Sequence, residues 1–195
     1  WRTLDAMTNI TDFSHALLPS IHKTVMRLGL AGNYGIAAAD VEYAAERGVN
    51  FWLWSPRFKQ VTPVLKRLLA QDREKHVVVV LGNAIFPGGP NKDVDKARKQ
   101  LGIDTVDAYL LGWLGRTSRF GGGIQSTLAD LKASGTATSI GCSIHDRERA
   151  GQLVKDSILD TFMLRYNAKH PGAERDIFPH LPARNPTVMA YTATS

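Results

Sequence analysis

Few side chains in this sequence combine reactive chemistry with useful spacing. His145 follows an apolar run and precedes Asp146; an imidazole at a strand end either moves a proton or begins a solvated helix. Gly121, Gly122 and Gly123 stand before a helical pattern, with Arg116 and Arg119 just upstream. Bare backbone N–H groups beside guanidinium charge suit an anion, and the same composition suits a flexible loop. Gly29, Gly32 and Gly35 are spaced GxxGxxG rather than GxGxxG, so the dinucleotide fingerprint is not supported and a tight first loop is the simpler reading. His170, His180 and the single cysteine, Cys142, lack the spacing of a zinc site, and no metal is expected. Trp52, Trp54, Phe58 and Trp113 gather near strand ends, where they either line a pocket for an apolar or aromatic ligand or simply pack.

The elements that must position these groups read as a repeated alternation. Val25 to Leu30 is a short apolar strand, Ile36 to Arg47 a helix stopped by Gly48, and Val49 to Leu53 a buried strand. Val64 to Ala70, with Pro63 near its start, is the next helix, and Val77 to Leu81 is a strand of the kind a parallel sheet buries on both faces. Asn91 to Leu101, Ile124 to Ser134, Arg147 to Lys155 and a short turn near Arg175 to His180 continue the helices. Val106 to Leu111, Ala137 to Cys142, Asp160 to Arg165 and Val188 to Tyr191 continue the strands. About seven strands alternating with about six helices argue for a parallel sheet covered by helices, open or closed into a barrel.

The chain of 195 residues, 44% hydrophobic, is long enough for one domain with a substantial core. Its apolar runs fall far short of the roughly 18 residues that cross a bilayer, so no membrane insertion is expected. A formal charge of +6 and a pI near 9.6 raise the question of a polyanion partner. The basic residues are scattered, however, among Asp72, Glu74, Asp93, Asp95, Asp146 and Glu148, which speaks against nucleic-acid binding. One cysteine excludes an internal disulfide framework and fits a reducing compartment, with the cytoplasm as the expected location. The sequence opens at Trp1, and no secretory leader is legible.

RLGL (Arg27 to Leu30), GVNF (Gly48 to Phe51), LGIDTVDAYLLGW (Leu101 to Trp113), LADLKASGTATSIGCS (Leu128 to Ser143), RYN (Arg165 to Asn167) and MAYT (Met189 to Thr192) occur in that order. In order and spacing the set resembles the aldo-keto reductases. The resemblance runs over 25–195, which makes that range the barrel-like domain and 1–24 an N-terminal extension. It implies a TIM-type (β/α)8 barrel with NADP(H) lying across its mouth, truncated here after strand seven, with the C-terminal strand and helices missing. Such a barrel leaves strand edges unpaired, so a protein partner that covers them, as in a larger complex, is a further expectation.

Members of that family reduce carbonyls with Asp, Tyr, Lys and His. The tyrosine protonates the alkoxide that hydride delivery builds, and its neighbours tune and orient. The matching positions here read Leu53, Phe58, Gly82 and Gly112, none of which can give or take a proton. Among the implied cofactor contacts, Ser143 matches the serine of a GVSN segment whose asparagine is Ile144, and Tyr191 matches an aromatic residue that stacks on nicotinamide. The glutamine implied in strand six reads Met163, and Gly32 and Thr192 complete the expected cofactor-binding set. In the family register Leu53 points inward, Trp52 and Trp54 face the helix layer, and Phe58 and Trp113 line the mouth. Two functions follow as expectations. One is a non-catalytic ligand-binding, regulatory or assembly protein that takes a small-molecule ligand or a protein partner. The other is an NADP(H)-dependent oxidoreductase acting on a carbonyl or alcohol through a non-standard site, with His145 as the substitute acid.

Overall fold

The apolar run read as one strand from Val25 to Leu30 is divided between two sheets. In a computed structural model that describes residues 13–115 and 120–192, β1 (His15–Leu18) and β2 (Lys23–Met26) pair as an antiparallel hairpin. The hairpin closes where the Arg27 N–H donates to the Ser14 carbonyl at 2.7 Å. The chain then passes exposed Leu28 and Gly29 before β3 (Leu30–Ala31) joins a parallel sheet. Periodicity did not reveal this break, because the run is short and its apolar residues continue on both sides of Arg27 and Gly29.

From β3 onward the expected alternation holds. The helices are α1 (Ala38–Glu46), α2 (Thr62–Gln71), α3 (Gly89–Leu101), α4 (Gly122–Ala133), α5 (Arg147–Lys155) and the short α6 (Ala173–Asp176), followed by a 3-10 turn at Phe178–Ala183. The strands β4 (Phe51–Trp54), β5 (Val77–Gly82), β6 (Val106–Leu114), β7 (Ala137–Ile144), β8 (Thr161–Arg165) and β9 (Thr187–Tyr191) lie side by side in chain order after β3, all parallel. This is the (β/α)8 arrangement carried through seven of its eight strands, with β3 and β9 as the outer strands of the sheet. α2 carries Pro63 in its first turn, where no N–H is needed, and α3 closes at Gly102 in left-handed backbone, φ +69°.

Strand alternation divides the buried apolar residues into two separate cores. Trp52, Trp54, Val78, Val80, Tyr109 and Leu111 face outward and pack with the helices. Val77, Val79, Ala108, Leu110, Met163 and Met189 face the lumen, where Leu18, Ile21 and Val25 of the hairpin join them. The hairpin therefore plugs the floor at the strand N-termini, each buried aliphatic side chain contributing about 1.5–3 kcal/mol. Its turn is fixed by hydroxyls: Ser20 Oγ lies 2.7 Å from Thr187 Oγ1, 2.9 Å from Thr161 Oγ1 and 3.1 Å from Ser139 Oγ. Asp107, nearly buried, accepts from Arg73 at 2.8 Å and from the Val78 N–H at 2.7 Å, and Lys23 of β2 lies 3.2 Å away. No helix among the described residues is long and apolar enough to cross a membrane.

Candidate ligand site at the barrel mouth

Parallel α/β barrels place their chemistry at the C-terminal strand ends. On β3 to β6 the lumen side of that end carries Ala31, Leu53, Leu81 and Gly112, placed by register and alternation. Leu53 packs on the lumen core while Trp52 and Trp54 lie in the outer core, as alternation predicts. A side chain at Gly112 would begin 2.5 Å from the Gly82 carbonyl oxygen and 3.3 Å from Leu81, so the backbone of β5 closes that position.

Gly82 and Phe58 are elsewhere. Gly82 alternates with Leu81 and faces the helix layer, where a Cβ would collide with the Tyr109 hydroxyl and stand 2.5 Å from Asp93 Oδ2. Tyr109 Oη donates to that same carboxylate oxygen at 2.9 Å. The glycine thus makes room for a phenol–carboxylate bond, and the lumen-facing residue at the end of β5 is Leu81. Phe58 does not line the mouth: it packs with the outer core and covers Gly32, whose Cβ would meet Phe58 Cβ at 2.9 Å and Val61 at 2.7 Å. Gly32 is buried under the turn before α2, where packing by itself accounts for the absence of a side chain. Trp113, half exposed at 51%, stands near the C-terminal end of β6, where the β6–β7 register shifts between Leu111 and Leu114. Its left-handed backbone, φ +50°, is an uncommon conformation for a bulky residue.

The β7–β9 side is polar. Ser143 is the buried hydroxyl near the end of β7, level in register with Met163 of β8, which is in turn level with Met189 of β9. One lumen step higher, Arg165 pairs in register with Tyr191. His145, just past β7, lies with Nδ1 2.8 Å from Tyr191 Oη, the two rings 5.3 Å apart and tilted. Burial pushes the Tyr191 phenol above its ordinary pKa, and the positive charge of Arg165 opposes that shift. Thr192 is exposed in left-handed backbone, φ +54°, and its carbonyl accepts from Asn167 Nδ2 at 2.7 Å. Ile144 is packed into the outer core, so no polar group is offered there. The structure thus brings Ser143, His145, Tyr191 and Thr192 to one side of the mouth. It adds Arg165 and Asn167, which the sequence pattern marked only as part of the RYN segment; strand register brings Arg165 beside Tyr191, and a hydrogen bond brings Asn167 to Thr192.

Other sequence candidates fall away from this site. Arg116 and Arg119 lie outside the described residues. Gly123 is explained by packing, since a Cβ there would meet Pro87 at 2.7 Å. Cys142 is a buried thiol in the outer core and His180 lies in the 3-10 turn, whereas His170, bridged to Asn167, stands at the border of the site.

Comparisons with known proteins agree with this fold. A structure of an aldo-keto reductase from Klebsiella pneumoniae in complex with NADPH superposes with a TM-score of 0.74 at 18% identity, over 91% of this chain and 68% of that one. A glycerol dehydrogenase from Gluconobacter oxydans gives 0.72 at 19% identity, over 91% and 62%. A Pseudomonas aeruginosa protein described as an aldo-keto reductase gives 0.72 at 23% identity, over 89% and 75%. At such identities these likenesses speak for the fold alone. No curated protein matches the chain in sequence. The aldo/keto reductase family model, however, matches residues 26–195, from the end of the floor hairpin through every parallel strand, and the chain belongs to the aldo/keto reductase family.

Proposed function

We propose that this protein is a ligand-binding member of the family that does not reduce carbonyls, and that its ligand is a nicotinamide nucleotide held on the polar side of the mouth. The observation that carries this is the lumen side of β3 to β6, where Ala31, Leu53, Leu81 and Gly112 provide no titratable side chain. Loss of a positioned acid typically costs about a hundred- to ten-thousand-fold in rate.

The other side supports binding. Tyr191 presents an aromatic ring at the mouth and Ser143 a hydroxyl below it, which fit a flat ring bearing a polar substituent. Relatives crystallised with NADPH, from Klebsiella pneumoniae, and with NADP, from Bombyx mori, favour that ligand class. A bound nicotinamide supplies or accepts hydride; the residues here would seat it, Tyr191 by its face and Ser143 by its hydroxyl. Calorimetric titration with NADPH and NADH, followed by incubation with a panel of aldehydes and ketones, tests both halves of the proposal. Binding in the micromolar range without consumption of NADPH is expected, and multiple-turnover reduction overturns it.

One observation favours a second reading, an oxidoreductase with a displaced acid. Tyr191 and His145 are already hydrogen-bonded at 2.8 Å, a phenol and an imidazole through which a proton can pass between solvent and the mouth. If any turnover is found, His145→Ala should abolish most of it; unchanged turnover removes His145 from the chemistry.

A further inference from the structure

At the end of the barrel opposite the mouth, the floor hairpin leaves a cavity of about 270 Å³ against the strands β7 to β9. Ser20 and His22 of the hairpin turn, Lys132 at the end of α4, Asp160 before β8, and Arg184 and Asn185 before β9 all line it. We propose that this cavity binds a small oxyanion, a phosphate or a short dicarboxylate, and that the occupant clamps the hairpin to the β7–β9 side of the sheet.

Charge is the first support. Lys132 Nζ lies 2.6 Å from Asp160 Oδ2, so those two charges offset each other. Arg184 is held differently. Its guanidinium donates to the carbonyls of Val154 at 3.0 Å and Leu159 at 3.2 Å, acceptors that fix the group without neutralising it. Among the described residues no carboxylate pairs with it. The wall therefore carries one uncompensated, immobilised cation, and Lys132 can turn from Asp160 to share an incoming anion. His22 adds an imidazole that can donate.

Size and backbone point the same way. The volume, about 270 Å³, lies just below the roughly 300–1,000 Å³ typical of drug-sized sites and suits an oxyanion carrying a few carbons. His22 and Asn185 both adopt left-handed backbone, at φ +59° and +46°, and the Asn185 N–H is fastened to the Leu181 carbonyl at 2.8 Å. Ser20, at the cavity wall, is the residue whose hydroxyl joins the floor network. An anion bound here adds a bridge between the hairpin turn, α4 and the segment before β9, beyond the Ser20 hydroxyl contacts, the Lys132–Asp160 pair and the Arg184 hydrogen bonds already present, so it should raise stability by mass action.

Inorganic phosphate and malonate, titrated separately at constant ionic strength into the full chain, test this by melting temperature and by amide NMR shifts. A saturable rise in melting temperature is expected, with shifts confined to residues near His22, Lys132 and Asn185. Lys132→Gln and His22→Gly, both at exposed positions, should each weaken binding about tenfold, the scale of one charge-assisted hydrogen bond. Saturation with phosphate alone or with malonate alone supports the site and identifies the headgroup. Non-saturating shifts spread over all basic residues, or unchanged affinity in both variants, overturn it.

Discussion

The two sides of the mouth are made by the same strand–helix unit and carry opposite chemistry. On β3 to β6 the lumen-facing ends are Ala31, Leu53, Leu81 and Gly112; on β7 to β9 they are Ser143, Arg165 and Tyr191, with His145 above them. The outer faces of both sides contribute apolar residues to one core packed with helices. Fold and chemistry are thus separable here: the outer core sets the strands, and a few lumen positions decide whether protons are available. The apolar side is also closed by its own backbone and packing. Gly82 admits the Tyr109–Asp93 bond, and its carbonyl oxygen occupies the space a side chain at Gly112 would need.

The largest effect should come from trying to make the two sides alike. Gly112→His and Gly82→Lys each force a side chain into filled space, and overpacking of this kind costs about 1–3 kcal/mol or more. Both variants should lose stability in chemical denaturation and gain no carbonyl reduction. Reductase activity in Gly112→His would show that the apolar side is merely vacant, and the contrast between the sides would shrink to one residue.

Ligand binding sharpens the contrast from the other direction. Tyr191→Ala should weaken NADPH about tenfold, because an aromatic face contributes roughly 1 kcal/mol beyond its area. Leu53→Ala should change affinity by less than about threefold if only the polar side seats the nucleotide. Equal losses in the two variants, measured by calorimetry, would place the ligand across the whole mouth.

Much of this was legible in the residues. The alternation of apolar runs with helix signals identifies the parallel sheet, and the family-like segments locate its strand ends in order. Parity along β4 places Leu53 inward. Two positions were not legible, for different reasons. Gly82 was matched as the end of a strand, whereas counting alternation from Val77 and Val79 brings Leu81 to the lumen; a one-residue step reverses the face. Phe58 lies beyond the strand, where alternation no longer applies, and only packing against Gly32 and Val61 shows its side. Arg165 and the floor cavity depend on register between distant segments, which no local pattern records.

Acid should act first on the apolar side. Trp52 Nε1 donates to His76 Nδ1 at 3.1 Å, so the imidazole is neutral with its proton on Nε2. Burial holds its pKa below the ordinary 6.5, the charge of Lys75 adding to the effect and Asp72 opposing it. The unfolded chain then binds this proton at higher pH than the folded one. Stability is unaffected above about pH 6.5 and declines as pH falls from there to the depressed folded-state pKa. His76→Gln keeps an acceptor for Trp52 and cannot titrate, so it should flatten that part of the pH–stability curve. Hydrogen exchange at β4 and β5 should accelerate before that at β7 and β8; a simultaneous rise would mean that the two sides open as one unit.

The smallest effect should appear where the two sides are the same. Cys142 lies on the outer face of β7, beneath the polar lumen, and burial pushes its thiol from 9.0 up to about 12, with Arg149 opposing. A raised folded-state pKa means that the contribution is intact below about pH 9 and is lost as pH rises toward the folded value. At mildly alkaline pH, iodoacetamide should therefore leave Cys142 unmodified in the folded protein and label it only as fast as the chain unfolds. The polarity of β7 would then be confined to Ser143 and its lumen neighbours, one residue's width from a dry thiol. Rapid labelling under native conditions would instead show that water reaches both faces of β7, and that the polar side differs from the apolar side in packing as well as in lumen chemistry.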